Sequence, residues 1–103
     1  MAKMTVIYKT PKDIDFFERH YFDVHVPLAK QLPGLLAYEI NDSTVISTTG
    51  HAAPYRIAHL HFESFEIMMA AFQSDIGQQC AADRKILASN EEVQIYLYDT
   101  KHL

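Results

Sequence analysis

Apolar residues change their spacing along the chain, and each change marks a predicted element. β-branched and aromatic residues at 4–9 predict a first strand. From Asp13 the apolar side chains recur at steps of three and four, which is typical of an amphipathic helix: Ile14, Phe17, Tyr21, Val24 and Leu28. Pro27 cannot donate a backbone hydrogen bond and disfavours the helical conformation at Val26. We therefore expect this helix to kink or restart there.

The remaining segments repeat this order. Residues 31–34 end the helix, and residues 35–40 predict a second strand, with 45–46 as a candidate continuation. Residues 55–62 have high strand propensity and predict a third strand. Ser64 is a favourable helix N-cap, helical spacing follows it, and a second helical start at Ser74 leads on to residue 88. Residues 93–98 predict the last strand.

The order of elements defines a fold class. Strand, helix, strand occurs twice, which predicts an α+β protein with ferredoxin-like βαββαβ topology. Its four-stranded antiparallel sheet carries the helices on one face. At 103 residues, with no linker or low-complexity segment, the chain has room for a single domain spanning 1–103.

The face of the sheet opposite the helices is not plainly polar. In the third strand one face carries Ala58, Leu60 and Phe62, and the other carries Tyr55, Ile57, His59 and His61. An antiparallel sheet exposed to water normally shows a clean polar side. We therefore expect this second face to pack against another copy of the chain, forming a homodimer around a space lined by Tyr and His.

Composition excludes several function classes. Thirteen acidic residues against nine basic ones, with no Lys/Arg run, argue against a nucleic-acid partner. No apolar stretch approaches the roughly 20 residues of a membrane span, and no signal-peptide segment is recognisable, so we expect a cytoplasmic protein. The single Cys80 excludes an internal disulfide and a zinc site built from several cysteines.

Three of the six histidines are candidates for chemistry. His25 lies at the predicted helix break, where an imidazole can act as acid or base near neutral pH; capping of backbone carbonyls is the alternative. His59, His61 and the nearby Ile57 share the strand face away from the helices, from which we expect them to line the same cavity as His25. No third ligand accompanies the histidine pair, so no metal site is predicted.

Other residues complete the predicted pocket. Tyr8 and Tyr38 lie on strands, where a phenol can orient a carbonyl or hydroxyl group while its ring packs on an apolar ligand. His20 precedes His25 by five residues, about 140° around an ideal helix, so we expect it to be solvated on another face. The chain has no phosphate loop and no nucleotide-binding motif, so no cofactor is predicted.

The segment 21–35 resembles the hallmark of the EthD family: an aromatic residue followed by His-x-Pro-Leu at 25–28 and Leu-Pro-Gly-Leu at 32–35. The residues at 38–39, 61–64, 74–77 and Asp83 extend the resemblance over nearly the whole chain. It implies a dimeric α/β barrel in which two sheets pack face to face and each subunit encloses a pocket. It also implies that His25 faces that pocket, and that Asp83 has a structural role, bonding backbone or a tyrosine. No role carries over to residues 41–53.

The resemblance leaves three function classes open. The family is associated with breakdown of ethers and other organic compounds, and relatives of the same fold include polyketide cyclases, muconolactone isomerases and cofactor-free monooxygenases. We expect a homodimer that binds a small apolar or aromatic molecule and transforms it by acid/base chemistry at His25, as an isomerase, lyase or cyclase. A cofactor-free monooxygenase and a non-catalytic binding protein of a degradation pathway are the alternatives.

Overall fold

A four-stranded antiparallel sheet with helices packed on one face forms the protein, and a computed structural model describes all of residues 1–103. The strands are β1 (Ala2–Tyr8), β2 (Ala37–Ile40), β3 (Arg56–Phe62) and β4 (Val93–Asp99). Their order in the sheet is β2-β3-β1-β4, and every neighbouring pair is antiparallel. The predicted ferredoxin-like fold is confirmed.

The helices begin where the sequence predicts. They are α1 (Ile14–His20), α2 (Val26–Ala29), α3 (Phe65–Gln73) and α4 (Asp75–Leu87), with a π-helical turn at Tyr21–His25 between α1 and α2. Asp13 caps α1 by accepting from the backbone N–H of Phe16 at 3.0 Å. Ser64 and Ser74 cap α3 and α4 in the same way, each accepting at 3.1 Å from the N–H three residues later.

The π turn joins α1 to α2 without breaking the helix. The backbone N–H of Val26 donates to the carbonyl of Tyr21, five residues back, in place of the four-residue step of an α-helix. Pro27 then occupies the first turn of α2, where its missing N–H costs little. The helix is therefore irregular near Pro27, as predicted, but it does not restart there: Val26 keeps a helical conformation and the irregularity is the π turn before it.

The sheet places alternate residues on opposite sides. Ala58, Leu60 and Phe62 are buried beneath the helices, whereas His59 and His61 lie on the uncovered side. On that side the Thr5 hydroxyl lies 3.1 Å from His59 Nδ1 and 2.7 Å from the Tyr98 hydroxyl, and His61 Nε2 lies 2.9 Å from Glu39 Oε1. The uncovered face therefore mixes aromatic rings with a hydrogen-bonded polar network.

The candidate continuation of the second strand at 45–46 is wrong, because the chain leaves the sheet at Asn41. There the side-chain oxygen of Asn41 accepts from the backbone N–H of Ile57 at 2.9 Å, a bond that a further strand residue would otherwise have to supply. Residues 41–54 form no strand, and Ile46 is exposed. None of the helices is both long and apolar enough to span a membrane.

Candidate active site

A cavity of about 200 Å³ lies between the sheet and the helices. Most of its wall is apolar, from Met4, Val6, Ala29, Leu32, Ala58, Leu60, Phe72, Cys80, Ala81 and Ile95. Its polar lining consists of Tyr8, Tyr21, Tyr38, His25, Arg84 and Lys85. A dry cavity of about 150 Å³ can hold benzene, so this one accommodates a molecule of about one aromatic ring.

His25 is held at the cavity by a carboxylate from a distant part of the sequence. Its Nδ1 lies 2.8 Å from Oδ2 of Asp83, on α4, and both side chains are almost fully buried. This bond favours the tautomer in which Nδ1 carries the proton and donates to the carboxylate. The other nitrogen, Nε2, then keeps its lone pair and has no protein partner. A base oriented by a carboxylate is the arrangement that proton-transfer sites use.

His20 shares the same carboxylate, contrary to the prediction that it is solvated. Its Nε2 lies 2.7 Å from Oδ1 of Asp83, and its ring stacks on Phe16 at 5.5 Å between centroids. The prediction assumed an α-helix, in which residues five apart point about 140° away from each other. The π turn adds one residue to the turn, which brings His20 and His25 onto the same side of the helix.

The expected role of Asp83, bonding backbone or a tyrosine, is also corrected. Its two carboxylate oxygens bridge two histidines, one oxygen to each. This bridge ties the end of α1 and the π turn to the middle of α4. Asp83 is therefore a positioning residue, which fixes the ring orientation of His25 without lining the cavity itself.

Burial holds the pKa of His25 below its ordinary value of 6.5, because the buried imidazole is harder to charge. The hydrogen bond and the negative charge of Asp83 act in the opposite direction, but burial outweighs them. His25 is therefore neutral at pH 7 and above. A neutral imidazole with a free Nε2 can accept a proton, which is what a general base requires.

Tyr8 and Tyr38 lie where the sequence places them, on strands that line the cavity. The Tyr8 ring is almost completely buried, but its hydroxyl has no protein partner and can serve a ligand in the cavity. The Tyr38 hydroxyl lies 2.6 Å from that of Tyr21. Burial raises the pKa of Tyr38 to about 12 and also raises that of Tyr8, so both phenols stay protonated and can donate.

Tyr21 is itself fixed by a cation packed against its ring. The guanidinium of Arg56 lies 4.4 Å from the Tyr21 ring centroid and 5.1 Å from that of Phe22. Arg56 NH2 also lies 2.9 Å from both carboxylate oxygens of Glu18. Its Nε and NH1 are buried without hydrogen bonds, and the aromatic faces are what stabilise that part of the charge. Of this cluster, Tyr21 lines the cavity.

Cys80 lines the cavity as a thiol. Burial, with a smaller effect of the Asp83 charge, raises its pKa to about 11. A thiolate is needed for nucleophilic attack. Cys80 therefore belongs to the apolar wall.

His59, His61 and Ile57 do not share a cavity with His25, and this part of the predicted pocket is wrong. All three lie on the uncovered side of the sheet, while the cavity lies on the helix side. The residues of strand three alternate between the faces that the sequence predicts. The cavity of His25 lies on the helix side of the sheet because the helical segment that carries His25 packs there.

Arg84 and Lys85 were missed as cavity residues. The buried stripe of α4 consists of Gly77, Cys80, Asp83, Arg84 and Leu87. Two charged residues in the apolar stripe of an amphipathic helix are unusual, since charged side chains are seldom buried without partners. That departure from the pattern, at Asp83 and Arg84, is the signal in the sequence that could have found Arg84, whereas Lys85 is exposed and lies outside the stripe, so no such signal marks it.

Replacing Asp83 with Asn is expected to lower the pKa of His25 further, because the carboxylate opposes the effect of burial. Loss of the charged hydrogen bonds should also reduce the free energy of unfolding by about 1.5 kcal/mol. NMR titration of the His25 ring and urea denaturation measure the two effects. Asp42→Asn, in an exposed loop, is the control. A higher or unchanged pKa of His25 in the variant would contradict this assignment.

Known proteins resemble this chain in sequence and in fold. The EthD domain matches residues 9–91. An "uncharacterized 11.0 kDa protein in thcB-thcC intergenic region" of Rhodococcus erythropolis is 32% identical over 96 residues, which cover 93% of this chain and 92% of that protein. The crystal structure of an ethyl tert-butyl ether D (EthD) family protein from Bacillus halodurans superposes with a TM-score of 0.87 and 25% identity, covering 98% of this chain and 99% of that one.

Proteins with little sequence identity to this chain also have this fold. A dimeric ferredoxin-like protein from Thermobifida fusca superposes with a TM-score of 0.68 at 6% identity, covering 96% of this chain and 90% of that one. This chain is therefore a ferredoxin-like α+β domain with a cavity between its sheet and its helices. Within that class, the domain match and the Rhodococcus relative show that the chain belongs to the EthD family.

Proposed function

We propose that this protein binds a small apolar or aromatic carbonyl compound in the cavity and moves a proton on it, as an isomerase, lyase or cyclase. One observation carries the proposal. Asp83 holds His25 through Nδ1, which leaves Nε2 of a neutral imidazole with no protein partner at an apolar cavity. A general base needs such a free lone pair within reach of its substrate.

The chemistry follows from the groups around the cavity. Nε2 of His25 takes a proton from a carbon next to a carbonyl group, and the resulting enolate carries its charge on oxygen. The Tyr8 hydroxyl, which has no protein partner, is a donor for that oxygen. In an isomerisation, the proton returns from Nε2 to a different carbon; in an elimination, the enolate expels a leaving group, which takes the proton from Nε2 as it departs. Protons balance within the site.

We further propose that the protein is a homodimer that associates through the uncovered face of the sheet. That face exposes Tyr96 and Tyr98 beside the Thr5–His59 network. Partly exposed aromatic rings with satisfied polar groups are typical of the surfaces through which subunits associate. The dimeric protein from Thermobifida fusca has the same fold. The cavity lies on the opposite side of the sheet, so each subunit would keep its own site.

Deuterium exchange in heavy water tests the proton transfer directly. Phenylacetone is a suitable probe, because it has one ring and an acidic carbon between that ring and its carbonyl group. Proton NMR should show the signal of the hydrogens on that carbon disappearing faster with the protein than in buffer alone. The same reaction without oxygen should proceed at the same rate.

The other function classes predict different results. Binding of phenylacetone without accelerated exchange would overturn the catalytic role and leave a binding protein. A conversion that stops without oxygen would point to the monooxygenase alternative. If phenylacetone does not bind at all, the cavity is not a site for one-ring carbonyl compounds and the proposal fails.

A further inference from the structure

Arg84 is a buried cation without a counter-ion. Its side chain lies on α4, next to Asp83, and is 9% exposed. NH1 donates to the carbonyl of Ala88 at 2.7 Å and NH2 donates to Oδ1 of Asn90 at 2.6 Å. Both acceptors are neutral, and the ion pairs of the chain are formed by other residues. Burial of a charge with only neutral partners is unfavourable.

Arg84 faces a cavity whose charged lining is entirely positive. Arg84 and Lys85 both line the cavity, and no Asp or Glu does. The nearest carboxylate in the sequence, Asp83, has both oxygens occupied by histidines. A guanidinium has five N–H donors, and only two hydrogen bonds are made to the protein, so donors remain for a ligand.

The Arg84 charge also reaches the groups assigned to proton transfer. It lowers the pKa of His25 in the same direction as burial, the larger cause. The Arg84 charge also lowers the pKa of Tyr8, but burial raises that pKa by more. The positive field therefore extends across the part of the cavity where His25 and Tyr8 meet the ligand.

We infer that the ligand of this cavity is a one-ring organic acid bound as its anion, with its carboxylate against the Arg84 guanidinium and its ring in the apolar wall. This inference rests on the proposed function and narrows its substrate class. The carboxylate would supply the counter-ion that Arg84 lacks, and guanidinium–carboxylate pairs are strong and geometrically specific. The cavity volume of about 200 Å³ limits the acid to about one ring.

Two ligands that differ only in charge test the inference. Phenylacetate and phenylacetamide have the same ring and the same length, and their affinities can be compared by isothermal titration calorimetry at pH 8, where His25 is neutral. The wild-type protein should bind phenylacetate at least about tenfold more tightly. Arg84→Gln should remove most of that preference, and Arg84→Lys, which keeps the charge, should retain part of it. Lys101→Gln, at the exposed C-terminal end, is the control.

The outcomes separate the inference from the function on which it rests. Equal affinities in the wild-type protein, or a preference that survives in Arg84→Gln, would overturn the inference and leave the proposed function standing. If neither ligand binds, a cavity for one-ring molecules is itself contradicted.

A second measurement needs no variant, because Arg84→Gln also loses the bonds to Ala88 and Asn90 and could fail to fold. In the wild-type protein the NMR signal of the Arg84 Nε–H should shift with phenylacetate and not with phenylacetamide. An Arg84 signal that does not respond to bound phenylacetate would overturn the inference even if Arg84→Gln proved unfolded.

Discussion

His25→Gln is expected to slow the exchange of phenylacetone by about 10²- to 10⁴-fold, the usual contribution of a general base. Glutamine is close to histidine in size and can still donate to Asp83, so the variant keeps the polar contact that orients the side chain. It has no group that can accept a proton near neutral pH. The affinity for the probe should therefore change little while the rate falls, and the rate and the dissociation constant are measured on the same samples.

The rate in His25→Gln is compared with that of His51→Gln. His51 is an exposed loop residue that bonds only the nearby Thr49, so its replacement should leave the exchange rate unchanged. An exchange rate in His25→Gln equal to that of the wild-type protein would show that another group takes the proton. Loss of binding along with the rate would show that His25 positions the ligand and would not support a role in proton transfer.

Gly77→Ala is expected to cost about 3 kcal/mol of unfolding free energy, although alanine is a better helix former than glycine. A Cβ at this position would lie 2.3 Å from the carbonyl oxygen of Ala71 and 2.5 Å from both Cα and the carbonyl oxygen of Phe72. These are backbone atoms at the end of α3, which cannot rotate away as a side chain can. The start of α4 must move away from α3 to admit one methyl group.

Urea denaturation at a fixed protein concentration measures this loss, since subunit association would otherwise add to the apparent stability. Gln78→Ala is the matched control, because Gln78 is the next residue of the same helix and is exposed. Its unfolding free energy should stay within about 0.5 kcal/mol of the wild-type value. A Gly77→Ala variant as stable as the wild type would mean that the two helices pack less closely than the structure shows.

The fold could be predicted from the sequence because local patterns determine it. Each of three helices begins after a residue whose side chain bonds a backbone N–H of the first turn: Asp13, Ser64 and Ser74. The alternation of apolar and polar residues likewise places the residues of β3 on the correct faces of the sheet. The strand continuation at 45–46 failed because it depended on a long-range choice. The backbone N–H of Asn41 still donates to the carbonyl of Ile57, but the Ile57 N–H donates to the Asn41 side chain instead of to a strand backbone, and the pairing ends there.

The site could be predicted only in part. The family resemblance singled out His25, and the strands supplied Tyr8 and Tyr38. The pairing of His25 with Asp83 spans 58 residues of sequence, and no periodicity connects the two. The placement of His59 and His61 depended on knowing which side of the sheet holds the cavity. Local pattern identifies the faces of a strand, but which face lies against a cavity is decided by how the helices pack.

The π turn at Tyr21–His25 makes the number of residues in this helix as important as their identity. An ordinary α-helix with the same number of residues would keep every side chain but place His25 about 140° around the axis from His20, turned away from the carboxylate of Asp83. The orientation of the His25 ring therefore depends on the type of helical turn as well as on the residues in it. Substitution scans leave the spacing unchanged and do not test this dependence. A relative aligned by its His-x-Pro motif must also be compared at the spacing back to position 20, because a spacing of five needs the π turn, whereas a spacing of four would place both residues on one side of an ordinary α-helix.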